Sequence, residues 1–179
     1  MKTDQIKAIQ TKVGAVADGI WGPKSKAACI AYLRSLCPHN PWPTQANRVA
    51  FYGPPGTHQT RIEVTGLCVK YGGKTVNSIL CHERVAESLL RIIRAIHASP
   101  FVYVLAHYAG CYAEKALMHG HAAAIDLDPD TNGMDKDRFA WPTKATMPCE
   151  VVEIFAREGW TSAGAYWGYD AMHFQATTW

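Results

Sequence analysis

Apolar residues recur three and four residues apart in four segments of the chain, which is the spacing of one face of an α-helix. The first segment follows Thr3, and Pro23 opens the second. The third runs from about Glu83 to His97, and the fourth from Pro148 to Glu158. The apolar positions are, in chain order, Ile6, Ile9 and Val13; Ala27, Ile30 and Leu33; Val85, Leu89, Ile92, Ile93 and Ile96; and Val151, Val152, Ile154 and Phe155. The pattern predicts four helices, two of them before residue 40.

Shorter runs of β-branched, aromatic and small residues predict strands between and after these helices. The predicted strands are Arg61 to Thr65, Thr75 to Leu80, Phe101 to Leu105, Ala122 to Leu127 and Met172 to Ala176. Gly72-Gly73 marks a turn between the first two of them. Short strands with separate helices predict an α+β fold with a small antiparallel sheet and flanking helices, rather than a doubly wound sheet.

Residues 37–59 contain five prolines and show no apolar periodicity, which is typical of a linker that runs into a loop. The sequence therefore predicts three parts: a helical module at 1–40, a proline-rich linker and entry loop at 41–59, and a larger domain at 60–179.

The chain has 179 residues, of which 48% are hydrophobic and 18% charged, so it can bury a core and is not intrinsically disordered. A net charge of +3 is too small for a dedicated nucleic-acid binder. The charge is uneven, because residues 1–40 carry six basic and two acidic side chains, whereas residues 41–179 carry 12 and 13. The start of the chain lacks the apolar core of a secretory signal, and no run is long and apolar enough to span a membrane. We therefore expect synthesis in the cytoplasm and no membrane insertion.

Six cysteines are spread along the chain without a C-x-x-C pair, which favours buried free thiols over a zinc ribbon or a disulfide scaffold. Cys111 is the one candidate for chemistry, because it precedes the most polar motif in the chain.

Two short patterns combine residues that bind metals. His119 and Asp126 are seven positions apart around a run of small residues, and Asp170 lies three positions before His173. Two histidines and one aspartate would form a three-ligand set that leaves a fourth zinc position open for water, as a hydrolytic site requires. Asp170 would then be the base. Each pattern is weak alone, since a single histidine is more often a surface or hydrogen-bonded core residue.

The residues from Met118 to Asn132 resemble the S-x-H-x-x-G-x-A-x-D-(L/I)-(N/D)-P-x-x-N motif of the zinc D-alanyl-D-alanine carboxypeptidase and L-alanyl-D-glutamate endopeptidase family. The segment from Trp160 to Gln175, with Trp167 and the ending Asp170-Ala-Met-His-Phe-Gln175, is similar to the closing motif of that family. Phe51 to Gly56 resembles the entry segment of its phage members. The resemblance spans about residues 48–176. It implies that His119, Asp126 and His173 are zinc ligands and that Asp170 is the general base.

The sequence departs from the family pattern at three positions. Lys115 stands where the family has an arginine that stabilises the oxyanion, and it supplies the charge without the bidentate fork. Leu117 replaces the usual serine, and Ala122 the usual glycine. His121 is an alternative ligand to His119, although strand alternation would point it to the opposite face.

The N-terminal segment resembles the small helical peptidoglycan-binding module. Ile9-Gln10 followed by Asp18-Gly-Ile-Trp21-Gly-Pro23-Lys-Ser25 matches its signature, although about 40 residues is short for that module. The resemblance implies that Asp18 and Trp21 contact the wall. The alternative is that Trp21 only joins two helices.

Asp128, Asp130, Asn132 and Gly133 match the first half of a calcium loop, but the twelfth position is Phe139 rather than glutamate. The family motif explains the same residues, which favours it over calcium.

Together the two resemblances imply a phage-type endolysin with zinc as cofactor and bacterial peptidoglycan as partner. We expect a monomer that reaches the wall by a separate holin-type route and cuts the L-Ala-D-Glu bond of the stem peptide. The alternatives are a D-Ala-D-Ala carboxypeptidase, a non-catalytic wall-binding protein with a degenerate peptidase domain, and a lysozyme-like glycosidase. The last would require a carboxylate pair at a sugar cleft, and Glu83 and Glu87 are more simply a solvated helix face.

Overall fold

The computed structural model describes residues 3–114, 117–134 and 137–178. Its helices are α1 (Thr3–Lys12), α2 (Pro23–Ser35), α3 (Arg48–Tyr52), α4 (Ala86–His97), α5 (Leu117–Gly120), α6 (Pro129–Asn132), α7 (Ala140–Thr143), α8 (Cys149–Arg157) and α9 (Ala163–Tyr166). Its strands are β1 (Gln59–Glu63), β2 (Lys70–Tyr71), β3 (Lys74–Thr75), β4 (Ser78–His82), β5 (Tyr108–Gly110), β6 (Ala124–Leu127), β7 (Thr161–Ser162) and β8 (His173–Gln175). Helices and small antiparallel sheets are mixed along the chain, as the predicted α+β class requires.

A four-stranded antiparallel sheet with the order β5-β6-β8-β7 lies at the centre of the structure. Its two inner strands come from the two histidine-containing motifs. Ala124 pairs with Gln175, Ile125 with Phe174 and Asp126 with His173. The phenyl ring of Phe174 stacks on Phe155 of α8 at 3.8 Å between centroids, which ties the sheet to the helical layer.

The four predicted helices are present; α4 begins three residues later than the predicted start at Glu83, and α8 begins one residue later than the predicted start at Pro148. The strands predicted at 61–65 and 75–80 form the antiparallel pair β1–β4, and the short β2–β3 hairpin lies between them. The strand predicted at Phe101 to Leu105 is wrong, because Val102–His107 forms a 3₁₀-helix. Val104 and Leu105 are consecutive and both buried, whereas a strand would point them to opposite faces.

The proline-rich segment 37–59 is packed against the rest of the protein. It contains a 3₁₀-turn at Gln45–Asn47 followed by α3. Trp42 donates its indole N–H to the carbonyl of Glu158 at 2.7 Å, and the buried Tyr52 donates its hydroxyl to Ala176 at 2.6 Å. The prolines here therefore shape a docked segment, and the division of the chain at residues 40 and 59 stays a prediction.

Helices α1 and α2 also pack onto the larger part of the molecule. Trp21, between them, is 7% exposed and meets Trp141 edge-on at 5.8 Å between ring centroids. Lys12 forms a 2.8 Å ion pair with Glu153, whose side chain is only 9% exposed. The apolar core is consequently continuous across the predicted boundary.

All six cysteines are free thiols. Four are buried as expected, whereas Cys37 is half-buried and Cys68 is exposed in the turn ahead of β2. In the described parts of the chain, no helix combines the length and apolar character that crossing a membrane requires.

Candidate metal centre

The two inner strands bring two of the predicted ligands together through their register. Asp126 on β6 and His173 on β8 are directly opposite in the ladder, where side chains on one face lie about 5 Å apart. His119 arrives from α5, which is joined to β6 by a tight turn closed by a 2.9 Å hydrogen bond from the Ala122 N–H to the His119 carbonyl. Sequence positions 119, 126 and 173 thus converge on one point.

The three ligand atoms form a nearly equilateral triangle. Nε2 of His119 lies 3.2 Å from Oδ1 of Asp126 and 3.1 Å from Nδ1 of His173, and the third side, from His173 Nδ1 to Asp126 Oδ1, is 3.0 Å. A tetrahedral zinc ion with bonds of about 2.0–2.2 Å requires ligand separations of about 3.3 Å. Within the described ranges, this is the one cluster of histidine, cysteine and carboxylate groups that could hold a metal ion.

The hydrogen bonds behind His119 fix which of its nitrogens can bind a metal. Nδ1 of His119 lies 3.0 Å from the carbonyl oxygen of Cys111, which can only accept, so Nδ1 carries the proton. Nε2 of the neutral ring therefore presents a lone pair to the triangle. This is the outer-shell contact that zinc-binding histidines typically make.

His173 is oriented by a chain of two glutamines. Its Nε2 lies 3.1 Å from Oε1 of Gln175, while the amide nitrogen of Gln175 donates to Oε1 of Gln45 at 3.1 Å and to Oγ1 of Thr177 at 2.5 Å. Because the amide nitrogen already has two acceptors, Oε1 of Gln175 must accept from the Nε2–H of His173. That leaves Nδ1 of His173 unprotonated and facing the cluster.

The lone pairs of His119 Nε2, His173 Nδ1 and the Asp126 carboxylate point at one another, which favours a positive charge between them. Burial alone would raise the pKa of Asp126, but His119 and His173 in their doubly protonated imidazolium forms would donate to its carboxylate, which outweighs burial and lowers the pKa to about 2. Burial alone would lower the pKa of His119, yet the hydrogen bond and charge of Asp126 raise it above its ordinary value. A donor set of two imidazoles and one carboxylate with this preference fits a divalent cation such as zinc.

Asp170 lies at the turn that leads into β8. Its backbone has a φ of +57°, a left-handed conformation that costs free energy in a residue other than glycine and is common at functional sites. The side chain is buried, and among the residues that the structure describes its Oδ1 has no hydrogen-bond partner. Burial raises the pKa of this carboxyl, although the nearby His173 acts in the opposite direction. A buried carboxylate with a free oxygen is suited to accept a proton.

The indole of Trp167 forms one wall of the centre. It stacks on the His173 ring at 5.6 Å between centroids and 23° between planes. The stacking restricts rotation of the imidazole, which the Gln175 contact holds from its other side.

Comparison with known proteins points to the same part of the chain. Residues 114–176 match the family model described as D-alanyl-D-alanine carboxypeptidase. The match covers 63 of the 179 residues and contains the three candidate ligands, Asp170 and Trp167. No curated protein and no solved structure matches the chain significantly. The family match supports a peptidase domain in this region, and the segment before residue 114 lies outside it.

Two of the three positions that depart from the family motif, Ala122 and Leu117, lie within the described residues. Ala122, at the usual glycine, has a φ of +53°, so this turn needs the left-handed backbone that glycine adopts most easily. Leu117, at the usual serine, is 67% exposed at the start of α5. Lys115, the predicted oxyanion residue, lies outside the described residues.

The structure disfavours the other residues that the sequence offered as site candidates. His121 is buried, with its ring 6.0 Å from that of Tyr52, and the structure places His119 rather than His121 beside Asp126. Burial raises the pKa of Cys111 well above that of an ordinary thiol, so a thiolate nucleophile is disfavoured. Glu83 and Glu87 have exposed side chains, at 58% and 95%.

In the possible calcium loop, the side-chain oxygens of Asn132 and Asp128 accept hydrogen bonds from other groups of the protein. Oδ1 of Asn132 accepts hydrogen bonds from the backbone N–H groups of Thr146 and Met147, at 2.9 and 2.6 Å. Oδ2 of Asp128 accepts from Thr131 and Asn132. The motif therefore clamps α6 onto the 146–147 segment, which explains its residues without calcium.

Asp18 and Trp21 both have structural partners. Oδ1 of Asp18 accepts from the Gln10 side chain and from the N–H of Ile20, both at 2.8 Å, which closes the turn between α1 and α2. Trp21 is buried against Trp141. Their assignment to wall binding stays a prediction.

The sequence analysis included Trp167 and Gln175 in the closing motif but did not predict that they would contact His173, and it did not identify Gln45, which contacts Gln175. Gln175 lies within the D-x-M-H-F-Q ending, where its position two residues after His173 on one strand was an available signal. Nothing in the local sequence indicates that Gln45 would reach the same site.

Proposed function

We propose that this protein is a zinc-dependent peptidase that hydrolyses an amide bond in the stem peptide of peptidoglycan. The observation that carries the proposal is the triangle of His119, Asp126 and His173, with the buried carboxyl of Asp170 nearby. The match of residues 114–176 to a D-alanyl-D-alanine carboxypeptidase model supports a peptidoglycan-related peptidase.

Each residue has a distinct role in this proposal. His119, Asp126 and His173 would hold zinc and leave a coordination position open. Zinc, when bound, supplies Lewis-acid polarisation of the amide carbonyl and of the attacking water. Asp170 accepts the proton of that water and then donates it to the nitrogen of the leaving amine. Lys115 is proposed to add a positive charge beside the oxyanion.

We further propose that the protein is a phage endolysin and that the scissile bond joins L-Ala to D-Glu. The resemblance of the N-terminal segment to a wall-binding module and of Phe51 to Gly56 to phage enzymes supports the first point. Cutting the stem at its base opens the peptidoglycan mesh, whereas removal of a terminal D-Ala does not, which supports the second.

A D-Ala-D-Ala carboxypeptidase is the second candidate, because the matching family model carries that description. The two activities release different products from one pentapeptide muropeptide. Endopeptidase cleavage separates the glycan with its L-Ala from the remaining peptide, whereas carboxypeptidase cleavage removes a single D-Ala.

The test is mass spectrometry of defined soluble muropeptides after incubation with wild type, Asp170→Asn and His173→Ala, each with zinc and with a chelator. We expect wild type with zinc to generate a new amino terminus at D-Glu, and both variants to lose at least about 100-fold in rate. Loss of one D-Ala instead would select the carboxypeptidase. Undiminished cleavage in chelator or by His173→Ala would contradict a zinc peptidase, and new reducing sugars would indicate a glycosidase.

A further inference from the structure

One lysine of α2 reaches the segment that carries Asp170. Nζ of Lys26 donates a 2.9 Å hydrogen bond to the backbone carbonyl of Trp167, 141 positions away in sequence. The ammonium also lies 6.0 Å from the centroid of the Phe139 ring. Burial lowers the pKa of Lys26, with the nearby Arg138 charge as a second cause, so this amine is partly withdrawn from water.

The carbonyl that Lys26 contacts lies at the C-terminal end of α9. Backbone carbonyls at this end of a helix lack partners within the helix, and a cation is favourable there. The same residue, Trp167, stacks its indole on His173. Three residues later the chain reaches Asp170.

A second contact joins the next residue to the N-terminal helices. The carbonyl of Gly168 accepts from the N–H of Trp141 at 3.0 Å, and the ring of Trp141 meets Trp21 at 5.8 Å. Lys26 of α2 therefore holds the carbonyl of Trp167 directly. The carbonyl of Gly168 is held by Trp141, which in turn packs on Trp21. The segment contacts the metal centre on one side and the N-terminal helices on the other.

We propose that Lys26 is a positioning residue for the metal centre. Its hydrogen bond fixes the Trp167–Asp170 segment, so that the Trp167 indole orients His173 and the Asp170 carboxyl stays near the ligand cluster. The N-terminal helices thereby belong to the catalytic structure, whatever their affinity for the wall. The kinetic part of this inference rests on the proposed peptidase function.

The test compares three full-length variants with wild type. Lys26→Met keeps an unbranched apolar side chain one atom shorter and removes the donor, whereas Lys26→Arg keeps a donor. Lys24→Met removes an exposed charge two positions earlier on the same helix. Each protein is assayed on a soluble muropeptide well below its unfolding midpoint. Zinc affinity is measured separately by competition with a chromogenic chelator.

For Lys26→Met we expect kcat to fall about 10-fold with KM within about twofold of wild type, because Lys26 affects the reacting groups rather than substrate binding. Its zinc dissociation constant should rise at least about threefold. Lys26→Arg should stay within about threefold in kcat, and Lys24→Met should match wild type in both measurements.

Equal kcat and equal zinc affinity in Lys26→Met and Lys24→Met would overturn the inference, as would a Lys26→Arg variant as impaired as Lys26→Met. A purely structural role would lower the unfolding midpoint of Lys26→Met and leave kcat and zinc affinity unchanged below it. If wild type cleaves no muropeptide, the proposed function fails, while the zinc affinities still decide whether Lys26 positions the centre.

Discussion

The positions of two imidazole protons decide what the centre can bind. The carbonyl of Cys111 fixes the proton of His119 on Nδ1, and Oε1 of Gln175 fixes that of His173 on Nε2. Two bare nitrogens consequently face each other at 3.1 Å, an arrangement that is unfavourable unless a cation lies beside them. The two histidines therefore present different nitrogens, Nε2 of His119 and Nδ1 of His173, to the centre.

Gln175→Leu tests this proton arrangement. The variant removes the acceptor for the Nε2–H of His173, so His173 can turn or change tautomer, and we expect zinc affinity to fall about 10- to 100-fold. Gln175→Glu retains an acceptor and should lose less. Zinc competition titrations on both folded variants measure the effect. Wild-type affinity in Gln175→Leu would show that the glutamine does not orient the ligand.

Asn132 is a second residue whose side chain decides local structure. In Asn132→Ala, the backbone N–H groups of Thr146 and Met147 lose their acceptor, and leaving such groups unpaired costs about 1–3 kcal/mol each. We expect the free energy of unfolding to fall by about 2–4 kcal/mol in urea titrations. Asp130→Ala, a neighbour whose side chain is 81% exposed, should cost less than about 1 kcal/mol. Equal effects in the two variants would argue against the clamp.

At the scale of elements, the segment between α9 and β8 has no room for a side chain at Gly168. Gly168 has a φ of +94°, and a Cβ added there would lie 1.5 Å from the carbonyl oxygen of Arg138. The backbone must therefore move to accept any side chain at this position. Because Asp170 follows two residues later, such a movement displaces the proposed base.

Gly168→Ala should consequently reduce kcat on a soluble muropeptide by at least about 10-fold. Gly66→Ala is a matched control, since Gly66 also has a positive φ, +79°, but its added Cβ would meet no atom within 4 Å. The control should retain its activity while losing about 1 kcal/mol of stability. Full activity of Gly168→Ala would show that this backbone contact does not position Asp170.

Sequence patterns were sufficient to predict some elements of the fold and insufficient for others. The apolar faces of α4 and α8 and the motif around β6 and β8 were visible because local periodicity and short spacing encode them. The 3₁₀-helix at Val102–His107 was mistaken for a strand, because a short β-rich run has the same composition in either structure. The contact of Gln45 with Gln175 spans 130 positions, and no local pattern encodes it.

At the scale of the whole molecule, the N-terminal helices and the 42–52 segment both pack on the larger part. Glu153, 9% exposed, has its ion pair with Lys12 of α1, and Trp141 packs on Trp21. A module joined by a free linker would not bury side chains against the larger part in this way. They also agree with the short length of this segment compared with the wall-binding module that it resembles.

A chain that begins at residue 37 should therefore be markedly less stable than the full chain. Removing α1 takes away the 2.8 Å ion pair of Lys12 with Glu153, which keeps only the 3.8 Å contact with Arg157, and the loss of Trp21 exposes apolar surface of Trp141 to water. Urea unfolding monitored by circular dichroism measures the difference. An unchanged unfolding midpoint would mean that residues 1–36 form an independent module.

The central claim is that His119, Asp126 and His173 together bind one zinc ion, and metal analysis of the purified chain tests it most directly. After equilibration with zinc and removal of free metal, inductively coupled plasma mass spectrometry should find one zinc per wild-type chain and less than about 0.1 in His119→Ala, Asp126→Ala or His173→Ala. His121→Ala should retain one. A wild-type chain that holds no zinc, or a His119→Ala variant that still holds one, would contradict the account.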